Sequence, residues 1–315
     1  MGTRKFLFLF LLFFIFAACS SDDDGDEKNL TEDEIFDHYF DQRPDLSNCY
    51  QGVLKDARKK ETLDYVNHVR SLHNLPSVSY DFDSDLQTQK AALMGLANGE
   101  ITHTPQPSSK CYSNDGADGC LSSNLGIIGH SAYYPTNTDE DLIAGFMKEK
   151  NSESIGHRRW ILFPFLKYIS YGRVIGKNED VGFFITTCAL KVIYNETQNV
   201  NVSGIPFIAY PYNNYPSKLF DANCFLSFSV VLDRSKMNEI INYTSATIDV
   251  NIKSTNEKMT VSEKSYNSND GVGIPNSIQW KVAGLKKDIL YTVSIDNVFV
   301  EGVKKDFQYE FKIVD

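Results

Sequence analysis

Apolar residues recur at helical spacing over 56–72, where Leu63, Val66, Val69 and Leu72 share one face and Pro76 lies just beyond the end. The pattern predicts an amphipathic helix. A second helix is expected after Asp83, a capping residue, with Leu86, Leu93, Leu96 and Ala97 on its buried side and Asn98-Gly99 as its stop. The stretch 101–137 shows no such period and reads as a long loop. Thr138 then opens a third helix through Asp139-Glu140-Asp141, whose charges suit a helix N-terminus. Leu142, Ile143, Phe146 and Met147 give it an apolar face, and it is expected to end near Asn151. Beyond it, β-branched and aromatic runs over 168–175 and 181–194 flank Gly176-Lys177-Asn178-Glu179-Asp180, a hairpin pattern. Helices followed by a hairpin predict an α+β layer fold for this part.

The period changes after the polar segment 195–204, read as a linker. Short alternating runs replace helices at 225–232, 246–252, 277–282, 290–300 and 307–314, separated by turn residues such as Asn267-Ser268-Asn269-Asp270-Gly271. This spacing over 205–315 suits an all-β domain, an immunoglobulin-like sandwich, with a barrel as the other arrangement. Within it, the aromatic run from Phe207 to Pro216 reads either as a contact surface or as a linker packed against a domain.

The N-terminus adds a destination. Arg4 and Lys5 precede an apolar run over 6–18, too short to span a bilayer comfortably and built like the core of a secretory signal. Phe16-Ala17-Ala18-Cys19 resembles a bacterial lipobox, in which Cys19 is diacylated through sulfur and becomes the new N-terminus; plain cleavage after Ala18 is the alternative. Residues 1–18 are thus assigned to a signal peptide and 19–51 to a lipidated N-terminus and tether. The acidic stretch 20–27 within it has no means of forming a core. It is similar to the surface-export signals of Bacteroidetes lipoproteins, although a mere spacer would look alike. A lipid-anchored protein of the outer membrane, facing the surface or the periplasm, is the expected localisation, with the membrane reached through that anchor. The sequons at Asn195, Asn201 and Asn242 need a eukaryotic secretory route, which the lipobox argues against.

Charge and composition narrow the partners. The 315 residues carry 31 basic and 41 acidic side chains, a formal charge of −10. Loss of the segment holding Arg4 and Lys5 makes the remainder more acidic still, which excludes nucleic acid as a partner class, because phosphate contacts need a basic surface. A chain that is 42% hydrophobic and 13% aromatic buries a core, and its length predicts about two domains. With Cys19 lipidated, Cys49, Cys111, Cys120, Cys188 and Cys224 remain, an odd number that leaves at least one without a partner within the chain. Cys111 and Cys120 bracket Tyr-Ser-Asn-Asp-Gly-Ala-Asp-Gly, a turn-rich stretch, and are the expected disulfide; two free thiols in a loop are the alternative. Cys188 lies in an apolar run and reads as a core residue.

Three histidines fall in the middle of the first part, His103, His130 and His157. None has the i, i+4 spacing of a helical zinc motif, and neither HExxH nor GxSxG occurs, so spacing alone names no enzyme. The order of residues says more. Asn67-x-x-Arg70-x-x-His73-x-Leu75-Pro76, Thr102-His103, Asn124-Leu125, Phe146-x-x-Glu149 and Asn151-Ser152-x-x-x-Gly156-His157-Arg158-Arg159-Trp160-Ile161-Leu162-x-Pro164 together resemble the CAP superfamily of cysteine-rich secretory, antigen 5 and pathogenesis-related 1 proteins. The resemblance covers about 59–173 and implies a three-layer α-β-α CAP sandwich, placed over 52–194. In that family two histidines and two acids line a cleft able to hold a divalent metal.

Carried over, His103 and His157 are the expected metal ligands, with zinc the candidate ion, and Glu149 is an acid of the cleft, with Phe146 replacing the usual tryptophan. The position of the other acid, before Asn-Leu, is held by Ser123. Losing a carboxylate weakens a tetrahedral site and removes a candidate base; Glu153 and His130 are the candidate replacements. Arg158 and Arg159 are expected to pair with helix acids, and Trp160 to be core. The reading that follows is a non-catalytic surface module binding a protein, glycan or lipid. The alternative is a metal-dependent, peptidase-like hydrolase using the same cleft.

Overall fold

Thr31 opens the described chain with a capping box: its hydroxyl accepts from the Glu34 N–H while the Glu34 carboxylate accepts from the Thr31 N–H, starting helix α1, Glu32–Tyr39. The computed structural model describes residues 31–130, 137–150, 152–194, 200–234, 241–267 and 272–315. The signal segment, Cys19 and the acidic tract therefore lie outside the described residues, as do Asn151, Asn195 and 268–271. No described helix is long and apolar enough to cross a membrane.

The tether reading of 19–51 is corrected from Thr31 onward. Helix α1 and the short strands β1 (Phe40–Gln42) and β2 (Val53–Leu54) form an arm whose Ile35, Phe36, Tyr39, Phe40 and Leu54 are buried in the main core. An apolar stripe of that size is stable only against another surface, which the acidic residues before it conceal in the sequence.

Helix α2 (Asp56–Ser71) leads to β3 (Ser79–Tyr80), and a short 3₁₀ turn then delivers α3 (Asp85–Asn98). Asp83 lies in that turn, capped by Asp81, rather than at the start of α3. The expected loop 101–137 holds α4 (Asn114–Ser122) and β4 (Ser123–His130). Gly119 is why α4 exists in a turn-like sequence: a Cβ there would lie 2.2 Å from the Gln87 carbonyl oxygen, so the glycine lets α4 lie directly on α3. Helix α5 (Asp139–Lys148) starts with the expected Thr138 cap, closed as a box by Asp141, and α6 (Gly156–Ile161) follows. Strands β5 (Tyr168–Asn178) and β6 (Phe183–Lys191) form the predicted hairpin.

The sheet runs β3-β5-β6-β4, antiparallel except for β3 beside β5. Alternation separates its faces. Val174, Ile185 and Ala189 meet Ala91, Ala92, Leu93 and Leu96 of α3, and at Gly172 a Cβ would come within 2.3 Å of the Thr88 backbone. Ile169, Tyr171, Ile175, Cys188 and Leu190 face the other way, in one core with Val66 and Val69 of α2 and Leu142, Ile143 and Met147 of α5. Helices thus cover both faces of this sheet, and its strands read as continuous apolar runs for that reason.

The β-rich part consists of β7 (Phe207–Tyr210), β8 (Asn213–Pro216), β9 (Leu226–Val230), β10 (Ile241–Asn242), β11 (Thr247–Ile252), β12 (Val261–Asn267), β13 (Ser277–Val282), β14 (Leu290–Val300) and β15 (Val303–Val314). One sheet runs β12-β13-β9-β7; in the other, β10 and β11 pair with β14, β14 with β15, and β15 with β8 in parallel. The sheets face each other through Phe228 and Phe307, 5.1 Å apart at ring centres. The run from Phe207 to Pro216 packs inward: Tyr210 and Tyr215 are fully buried.

The two parts are joined by buried polar side chains. His73 meets the Ala209 carbonyl through Nδ1 at 2.9 Å and the Tyr215 hydroxyl through Nε2 at 3.2 Å. Arg158 donates to the carbonyls of Met147, Lys148 and Phe225, and its guanidinium lies 3.5 Å from the centre of the Tyr210 ring. Arg159 donates to the Ile274 carbonyl, and Gln279 to that of Glu153. The expected pairing of Arg158 with helix acids is therefore corrected. A guanidinium has five donors to satisfy, and here backbone carbonyls and the Ser227 hydroxyl at the seam accept from it. Trp160 is only half-buried, edge-on to Phe163.

The expected Cys111–Cys120 disulfide is also corrected. Cys111 bonds to Cys49, across 62 positions, tying the N-terminal arm to the loop before α4. Cys120 falls on the inner face of α4, packed with Ala91, Leu125 and Ala189, where burial pushes its thiol up to about 11. Cys120, Cys188 and Cys224 are free and buried, as expected of Cys188.

Candidate functional site

Glu149 caps the end of α5 in the left-handed region, at φ 46°, where non-glycine residues are uncommon. That turn aims its carboxylate at the start of α6. Oε1 accepts from the His157 N–H at 3.0 Å and Oε2 from the Arg158 N–H at 3.3 Å. The same Oε1 stands 3.4 Å from His157 Nδ1. Asn124, the second residue of β4, donates to the His157 carbonyl at 3.0 Å, and the Phe146 ring lies 4.9 Å from the imidazole.

Burial decides the charge states. It pushes the Glu149 carboxyl up to about 7, against the pull of Arg158 and the two N–H groups. It lowers His157 to about 4, and the charge of nearby His103 acts in the same direction. Near neutral pH, His157 is thus a neutral imidazole whose Nδ1 side faces Glu149, leaving Nε2 as the other polar position of the ring. His103 is exposed, and its Nδ1 meets the Cys120 carbonyl at 2.8 Å, three residues before Ser123. Ser123 is buried, and its hydroxyl finds no hydrogen-bond partner among the described residues.

The structure therefore brings His103, His157 and Glu149 into one region at the Ser123 end of β4. His130 is not there: it ends β4, about 23 Å along the strand from Ser123, with Nε2 on the Thr186 hydroxyl. Glu153 is exposed, and its backbone carbonyl is taken by Gln279. The donor set does not make a preformed metal site. Both Glu149 oxygens face backbone N–H groups, Ser123 offers a hydroxyl where a carboxylate is needed, and no group of three His, Cys, Asp or Glu able to hold an ion occurs among the described residues.

A second buried polar cluster escaped the sequence reading. Asp139 accepts from the Tyr171 hydroxyl at 2.7 Å and from Arg173 at 2.8 Å, with the Arg173 guanidinium 3.9 Å from the centre of the Tyr39 ring. Asp139 reads in the sequence as a helix-start charge, which hides this role.

Residues 63–190 match the model of the CAP family, described as the cysteine-rich secretory protein family. The chain carries a CAP family domain over those residues. Two crystal structures of MpPR-1i are similar, one of them soaked with selenourea for 10 min. The identities are 18% and, for the soaked crystal, 17%; the alignments cover 45% and 43% of this chain and 93% and 91% of theirs, each with a TM-score of 0.28. No curated protein matches the chain by sequence.

Proposed function

We propose that this chain is a binding module held outside the cytoplasm by a lipid on Cys19, and that the region around His103, Glu149 and His157 contacts a protein, glycan or lipid without catalysing a reaction. The β-rich part is, in this reading, an immunoglobulin-like sandwich, supported by its two facing sheets. The observation that carries the non-catalytic reading is the engagement of Glu149. Its carboxylate is sealed by the His157 and Arg158 N–H groups, so it is poorly placed to activate water or complete a metal site. What remains is hydrogen-bonding capacity on two imidazoles beside the Phe146 ring.

The test is a zinc titration by calorimetry, with His103→Ala/His157→Ala beside it and a parallel screen for peptide and ester cleavage. Heats no different between the two proteins, and no cleavage, are expected. Micromolar zinc binding lost in the double variant, or cleavage lost in His103→Ala, would replace this reading by the metal-dependent hydrolase. The anchor is checked separately: mass spectrometry of the mature N-terminus is expected to show diacylated Cys19, and Cys19→Ala to release the protein from membranes.

A further inference from the structure

At the opposite end of the central sheet from the histidines, the N-terminal arm leans on the C-terminal end of α3 and the tip of the β5–β6 hairpin and leaves a groove of about 1020 Å³ between them. Its apolar lining comes from Phe36 and Leu46 of the arm, Leu96 and Ala97 of α3, and Ile175 and Phe184 of the hairpin. The Cys49–Cys111 bond runs through its wall, so the arm that makes one side is covalently fixed to the body that makes the other. A concave, largely apolar space of this size, walled by preset elements, has the character of a small-molecule site. It shares no lining residue with the histidine region: the β5–β6 tip pairs with the His130 end of β4, whereas Ser123 pairs with Lys191 at the other end.

The rim selects a charge. The lining holds four carboxylates, Glu32, Asp45, Glu179 and Asp180, against two lysines, Lys110 and Lys177. Both lysines are ion-paired within the rim, Lys110 with Asp180 and Lys177 with Glu179. Asp45 is held below the usual carboxylate range by hydrogen bonds from Ser47 and Asn48, so it stays anionic across the neutral range. The nearby Arg43, over the Phe36 ring, is paired with Asp33 and Asp37 and does not reverse the sign.

We propose that this groove is a second ligand site, separate from the histidine region, that takes small organic cations with an apolar body: the body lies along Phe36, Leu46, Leu96 and Phe184, and the cationic group sits among the rim carboxylates. An anionic amphiphile of equal length gains the same burial but meets a net negative rim, so discrimination follows from the sign of the head group.

The experiment is calorimetric titration of the purified protein with decyltrimethylammonium below its micelle concentration, with decyl sulfate as the isosteric anion. The cation is expected to bind about tenfold more tightly than the anion, an advantage of about 1.4 kcal/mol. The preference should shrink as salt rises through 0.5 M. Glu32→Lys/Glu179→Lys/Asp180→Lys, at three exposed positions, is expected to abolish or invert the preference. Ser47→Trp, which fills the groove from an exposed position, should weaken both ligands, with circular dichroism unchanged in each variant. Equal binding of the two amphiphiles, a preference untouched by the triple variant, binding unaffected by Ser47→Trp, or binding of neither amphiphile overturns the proposal. None of these results bears on the zinc titration, which reads the other end of the sheet.

Discussion

His73 and His157 are kept neutral by burial, which lowers them to about 3 and about 4, while Glu149 is raised by burial to about 7. The unfolded chain protonates both histidines more readily than the folded one, so the stability they contribute is present above about pH 6.5 and lost on acidification. Glu149 acts oppositely: the folded state holds its proton up to about pH 7, so stability falls as pH rises from about 4.5 to 7. Two histidines outweigh one carboxyl. The unfolding free energy from urea titration is therefore expected to climb between pH 4 and about 6.5, by an amount on the order of a few kcal/mol, and to level off near pH 7. Glu149→Gln should steepen the climb, and His73→Gln should flatten it; an acid limb unchanged in His73→Gln would refute the assignment. Of these residues the sequence order placed Glu149 and His157 together. It did not show that His73 lies at the seam, because its partners, Ala209 and Tyr215, are more than a hundred positions away.

At the scale of elements, the amphipathic pattern was enough for α2, α3, α5 and the β5–β6 hairpin, whose apolar periods are local. It was not enough for α4, where glycines needed for close packing imitate turn residues, nor for the arm, whose short elements follow an acidic run. The disulfide follows from that arm. Closing a loop across 62 positions restricts the unfolded chain by about 4 kcal/mol in the chain-entropy model. Cys49→Ala/Cys111→Ala is expected to lower stability by up to that amount, read by urea denaturation. Cys120→Ala, which removes a buried thiol, should cost only about 1 kcal/mol and leave the disulfide intact in a non-reducing peptide map. A Cys111–Cys120 peptide in that map would restore the sequence reading.

For the whole molecule, the seam makes the two parts interdependent. Arg158 satisfies the carbonyls of Met147 and Lys148 on one side and of Phe225 on the other, so its removal leaves buried acceptors unpaired in both. Arg158→Ala is expected to cost about 3 kcal/mol or more and to split a single unfolding transition into two, followed by calorimetry. A single transition at unchanged temperature would show that the seam carries little energy. The sequence by itself determined the layers: periods of 3.6 and 2 set where helices and strands form, and the order of a few polar residues marked the CAP family domain. Only the tertiary structure decided which cysteines pair, what Arg158 and His73 bind, and which of the candidate acids and histidines meet. Those outcomes depend on contacts between residues far apart in the chain, and local pattern carries no information about which distant surfaces will close on each other.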